Sequence, residues 1–129
     1  MTLITIIMNN DKLCCNSYFL YTNARSILNK LPELNSLISL YSPLFVSLTE
    51  TWLSNSFDSS ELSINNYIIH RNDRLTKGGG VLLAHKQNVL FKTVSHTFET
   101  EIVAVDLCVT PSSPFRLITA YKYNPNTHN

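Results

Sequence analysis

Glycine is nearly absent from this chain: three in 129 residues, all in one run, Gly78-Gly79-Gly80. The run matches neither a Gly-x-Gly-x-x-Gly fingerprint nor a Walker Gly-Lys-Ser/Thr loop, which excludes the familiar nucleotide cradles. It reads instead as a tight turn with close backbone approach ahead of a strand. Cysteine is scarce too. Cys14, Cys15 and Cys108 are odd in number and two are adjacent, a poor disulfide framework, and no Cys-x-x-Cys pair offers zinc a site. Reduced thiols in the cytoplasm or nucleus are the expected state. His70, His85, His96 and His128 lack ligand spacing such as His-Glu-x-x-His. Neither sign of charge dominates: ten basic side chains face nine acidic ones, which excludes a polybasic nucleic-acid binder but not a local patch. No apolar run is long enough to span a bilayer, and the apolar start, Met1 to Met8, has no basic n-region. An intracellular protein with no signal peptide and no transmembrane segment is the expectation.

What is present suits one folded domain, with 44% hydrophobic and 10% aromatic residues. After a polar break at Asn9 to Lys12, the aromatic and apolar run Ser17 to Thr22 has strand character and stops at Asn23. Leu31, Leu34, Leu37, Ile38 and Tyr41 then recur at helical spacing, with Pro32 in the first turn and Ser42-Pro43 as the stop. Leu44 to Thr49 is a second buried strand, ending at Glu50. Strand, helix, strand with short connections is a βαβ unit, so these two strands should run parallel. Four further strand-like runs, Tyr67 to His70, Val81 to Ala84, Ile102 to Val109 and Phe115 to Tyr121, lack helices between them and suggest an antiparallel or mixed extension of the sheet. Residues 1–16 read as a leader and 17–129 as the domain.

Asn23 and Glu50 stand at the carboxyl ends of the two paired strands. Open α/β sheets place ligands there. An amide oxygen beside a carboxylate is a hard-oxygen pair of the kind magnesium accepts, with water and substrate phosphate completing the shell. The plainer alternatives are a helix N-cap for Asn23 and a solvated strand end for Glu50. The segment from His70 to Lys77 is locally basic: Arg71, Arg74 and Lys77 could meet phosphates, and Asp73 could orient Arg71. The alternative is a solvated loop. Ser26, Ser47 and Cys108 have no base partner in sequence, so a nucleophilic triad is unsupported. Trp52 reads as a packing residue that anchors the loop after Glu50.

Five strings now occur in order: Asn23-Ala-Arg-Ser26, Asn29-Lys-Leu-Pro-Glu-Leu34, Leu48-Thr-Glu-Thr-Trp-Leu53, Arg71-Asn-Asp-Arg74 and Gly78-Gly-Gly-Val81. Together they resemble the amino-terminal half of an endonuclease/exonuclease/phosphatase domain, in the version carried by non-LTR (LINE-type) retrotransposons. The resemblance implies an α/β sandwich, Mg2+ (or Mn2+) held in part by residues matching Asn23 and Glu50, DNA as partner, and metal-dependent phosphodiester hydrolysis. It implies a phosphate-contacting tyrosine in the Tyr123-Asn-Pro-Asn126 turn, with Tyr121 as competitor. The family's later Gly-Asp-x-Asn and Ser-Asp-His strings do not occur in this sequence. The expected fold is therefore a partial α/β sandwich, one mixed sheet with a βαβ start, truncated before its second half. Its expected function is that of a half-site, weak in metal affinity and inactive alone, with an exposed sheet that invites self-association. The alternatives are a non-catalytic nucleic-acid-binding fragment using Arg71, Arg74, Lys77 and Lys86, and part of a phosphatase of the same superfamily.

Overall fold

A computed structural model of the chain describes residues 4–8, 17–76, 78–95, 101–108 and 114–121. Among the described residues, eight strands form two sheets: β1 (Ile4–Met8), β2 (Ser17–Asn23), β3 (Phe45–Thr49), β4 (Tyr67–Asn72), β5 (Val81–Lys86), β6 (Leu90–Thr93), β7 (Glu101–Cys108) and β8 (Phe115–Tyr121). The first sheet has the order β1-β2-β3-β5-β4 and the second β6-β7-β8. β2 and β3 pair in parallel, joined through helix α1 (Leu31–Tyr41), so the βαβ unit stands as the apolar spacing implied. Every other pairing is antiparallel.

The helix forms where its sequence favours it. Pro32 sits at the first turn, Glu33 meets the positive end of the helix dipole, and Leu34 and Ile38 bury one stripe. It stops at Ser42, whose backbone turns left-handed and whose N–H bonds the Ile38 carbonyl at 2.8 Å. That stripe packs on Leu20, Val46, Leu48, Leu82 and Ala84, which project from one face of the first sheet. The opposite face holds Phe45, Val81 and Leu83, and these meet Val103, Val105, Leu107, Phe115 and Leu117 of the second sheet. Between the sheets, Ser47 and Thr119 hydrogen-bond at 2.7 Å, which satisfies two buried hydroxyls.

The α/β sandwich holds, but its strands divide differently from the expected single mixed sheet. β4 and β5 extend the first sheet, whereas β7 and β8 leave it and form the second one with β6. The alternation of β7 gives the reason. Val103, Val105 and Leu107 point inward while Asp106 pairs outward with Arg116, so only one face is apolar. A second sheet therefore begins within this chain. β6 escapes sequence reading because Leu90-Phe-Lys-Thr93 is short and exposed. Leu90 and Ile118 lie exposed on the second sheet, 75% and 60% accessible. Residues 4–8 of the expected leader add the edge strand β1 to the first sheet. Among the described residues, no helix is long and apolar enough to cross a membrane.

His70 and His85 lie between the sheets under Phe91, whose ring is 5.2 Å from the first and 4.8 Å from the second. The His85 Nδ1 contact to the Lys86 carbonyl, 3.0 Å, must be a donated hydrogen bond. Nε2 of His85 is then an acceptor for Nε2–H of His70, 2.9 Å away. Burial pushes both imidazoles below their ordinary value of 6.5, and the neighbouring ring adds to the effect on His70. The folded state thus binds protons less readily than the unfolded one. Stability should be full above pH 6.5 and fall as the pH drops through that value. A urea midpoint clearly lower at pH 5 than at pH 7.5, with a shallower dependence in His85→Phe, is the expected outcome in a denaturation series.

Candidate functional site

Three loops meet at the carboxyl ends of β2 and β3, and backbone hydrogen bonds zip them together. Ala24 N–H bonds the Thr49 carbonyl at 2.8 Å, Ser26 N–H that of Glu50 at 3.0 Å, and Ile27 N–H that of Thr51 at 3.1 Å. On the other side, Thr51 N–H bonds the Gly80 carbonyl at 3.3 Å and Trp52 N–H that of Gly79 at 2.8 Å. The zip bends the chain sharply. Arg25, Ser26, Glu50 and Trp52 all carry left-handed φ angles, between 46° and 76°, and the three glycines have φ between 63° and 91°. Each non-glycine costs about 1–2 kcal/mol there, and such positions gather where a site over-determines its backbone.

This geometry brings Asn23 and Glu50 together. Asn23 pairs in register with Thr49, so Glu50 follows directly beyond its neighbouring strand. The Asn23 amide is exposed and Glu50 is half-buried. Beside them lies Tyr121, near enough to Glu50 for the carboxylate to act on its hydroxyl. Burial raises its pKa, the Glu50 and Glu101 carboxylates raise it further, and Arg74 opposes them. Tyr123 and Lys77 lie outside the described residues. Strand alternation explains Tyr121: it is two residues beyond Thr119, which already bonds Ser47, two residues before Thr49.

Glu101, at the start of β7, carries no signal in the sequence yet ties the site together. Its carboxylate holds Arg74 at 2.9 Å and also accepts the Gly80 N–H. Arg74 lies over the Tyr121 ring, 5.8 Å from its centre. Arg71 is committed elsewhere. Its guanidinium donates to the Ser54 and Phe57 carbonyls, the Ser59 hydroxyl and both oxygens of Asp73, at 2.6 to 3.1 Å. Three of these five bonds staple the loop that follows Trp52, and the other two hold Asp73. Trp52 itself is 46% exposed rather than buried as a loop anchor.

The donor set suits a hard cation. Asn23 offers an amide oxygen and Glu50 a carboxylate, and the buried Thr49 and Thr51 hydroxyls have no hydrogen-bond partner among the described residues. Among the described residues, no group of three or more His, Cys, Asp or Glu side chains could enclose a metal. Two oxygens and no nitrogen or sulfur fit Mg2+ or Mn2+ completed by water and phosphate, and do not fit structural zinc. The larger hollow, about 650 Å3 and lined by Asn35, Ser42, Asn66, Tyr67 and Lys86, adjoins the end of α1 and shares none of these residues.

No protein-family model and no curated protein matches the chain. Among solved structures, it is similar to the 3′ phosphatase NExo from Neisseria, determined with its product DNA hairpin. The two share 18% identity and superpose with a TM-score of 0.55, over 80% of this chain and 40% of that one. The chain thus spans about two-fifths of the phosphatase's length. At this identity the likeness concerns the fold, which agrees with the α/β sandwich that the sequence resemblance implied.

The glycine run makes the packing testable. A methyl group on Gly79 would lie 2.3 Å from both Arg74 Nε and Glu101 Oε1, whereas on Gly78 its nearest neighbour would be 3.5 Å away. Both residues have positive φ, so both substitutions carry a backbone cost. Gly78→Ala should cost about 1–2 kcal/mol and Gly79→Ala clearly more, because the second must also displace the Arg74–Glu101 pair. Urea unfolding of the two variants checks the order.

Proposed function

We propose that this chain carries the amino-terminal half of a metal-dependent phosphoesterase site acting on nucleic acid, related to the endonuclease domains of LINE-type retrotransposons. One observation carries the reading: Asn23 ends β2 and Glu50 directly follows β3, its parallel neighbour, in a single hydrogen-bonded zip, with Arg74 stacked beside it on the Tyr121 ring of the opposite sheet. Glu50 and the Asn23 amide would hold Mg2+ or Mn2+. Bound there, the metal would neutralise charge on the phosphate and its leaving oxygen. Tyr121 would donate a hydrogen bond to a non-bridging phosphate oxygen; a phenol is protonated at neutral pH, and burial and the neighbouring carboxylates push its pKa further up. Arg74, held by Glu101, adds positive charge on the same side, and Lys77 is a further phosphate contact under this reading. A water attacking in line needs a base, and the sequence contains neither the Gly-Asp-x-Asn nor the Ser-Asp-His string that would supply one. The chain alone should therefore bind but not turn over, and self-association through the second sheet belongs to the same proposal.

The likeness to a 3′ phosphatase supports a second substrate, a terminal phosphomonoester in place of the internal diester. Two measurements test the reading. Manganese binding followed by electron paramagnetic resonance should be weak, on the order of millimolar, and lost in Glu50→Ala. Supercoiled plasmid and a 3′-phosphorylated oligonucleotide should both survive the chain with Mg2+ as they survive it with EDTA. Manganese binding unchanged in Glu50→Ala contradicts the assignment of the site. Mg2+-dependent cleavage abolished in Glu50→Ala contradicts the half-site while keeping Glu50, and the substrate cleaved separates diester from monoester.

A further inference from the structure

We infer that Trp52 and Leu75 form a stacking subsite for an unpaired nucleobase at the rim of this site, so that its ligand is a nucleic acid with an exposed base rather than a small phosphoester. The inference rests on the phosphoesterase reading and sharpens its substrate class. Trp52 follows Glu50 by two residues and occupies left-handed backbone at φ 58°, an unfavourable choice for an indole. Burial repays only part of that choice, because the residue stays 46% exposed. The zip holds its N–H on the Gly79 carbonyl at 2.8 Å, so the indole stands beside the glycine loop. Its Nε1 lies 4.0 Å from where a methyl group on Gly78 would sit, which leaves room for the ring. Leu75, one residue after Arg74, is 92% exposed. It borders an open hollow of about 580 Å3 that Asn55 and Phe57 also line.

Charge complements the apolar rim. Arg25, two residues after Asn23, is exposed and makes no ion pair among the described residues. Arg74 sits beside Leu75 over Tyr121. A polyanion with flat apolar bases meets both features, since aromatic faces take bases of any sequence while cations follow the backbone. A small phosphate ester would leave Trp52 and Leu75 without a partner.

Trp52 is the sole tryptophan, so its emission reports the subsite directly. The probes are a single-stranded oligothymidine and an abasic oligonucleotide of equal length, both in magnesium buffer. Oligothymidine should quench the emission, and the abasic strand should bind without quenching. In dye-labelled anisotropy titrations, Trp52→Ala should weaken oligothymidine binding about five- to a hundredfold and leave abasic binding unchanged. Trp52→Phe should restore most of the loss, and Leu75→Ser should reproduce part of it. The proposal is overturned if both strands quench alike, if Trp52→Ala weakens both equally, or if neither binds. Manganese binding that depends on Glu50 stands or falls separately, so loss of the subsite leaves the underlying reading identifiable.

Discussion

The arrangement of this site depends on a backbone zip in which residues 24–27, 49–52 and 79–80 exchange hydrogen bonds beyond the ends of their strands. A sheet normally stops pairing where its strands stop. Here the pairing continues into the loops, and the price is a series of left-handed residues at Arg25, Ser26, Glu50 and Trp52. The gain is rigidity. A carboxylate and an amide on separate loops would wander by more than a metal tolerates, whereas two loops locked to the same ladder move with the sheet. The glycines serve the same end: the loop approaches so closely that a methyl group on Gly80 would sit 2.6 Å from the Thr51 hydroxyl.

A second constraint joins the two sheets. The zip belongs entirely to the first sheet and its loops, yet Tyr121 ends the second. Glu101 crosses the gap, because its carboxylate from β7 accepts the Gly80 N–H and holds Arg74, which covers the Tyr121 ring. The Ser47–Thr119 bond one step deeper fixes the register that delivers Tyr121 to Glu50. Below it, Val81 and Leu83 of the first sheet pack on Val103, Val105 and Leu107 of the second. Core packing, buried polar contacts and a partly exposed ion pair thus act in sequence from the interior to the rim.

Much of this was legible in the sequence where a residue's type clashes with its surroundings. Asn23 and Glu50 interrupt apolar runs, and the structure puts them where those runs imply, at the ends of two paired strands. Pro32, the leucine spacing and Ser42 bounded the helix closely. The triple glycine announced a tight turn, and all three do take positive φ. What stayed hidden depends on pairing across long separations. Glu101 lies in a polar stretch and looks solvated, because nothing local reveals Arg74 twenty-seven residues earlier. Arg71 looks like a phosphate ligand until its five hydrogen bonds are seen. The division into two sheets turns on which apolar face β7 buries, and alternation reveals a face without revealing its neighbour. Trp52 read as an anchor because burial is the usual fate of tryptophan, and here the backbone turns it outward.

The central proposal is that Asn23 and Glu50 hold one cation, with Tyr121 beside it. Manganese titrated into isotopically labelled protein reports this directly, since the bound ion broadens nearby amide resonances. The account predicts selective broadening at Ala24, Glu50, Thr51, Gly80 and Tyr121, with Asn66 and Asn88 beside the other hollow remaining sharp. Broadening that spreads evenly over the surface, or that gathers around Asn66 and Asn88 instead, would contradict it.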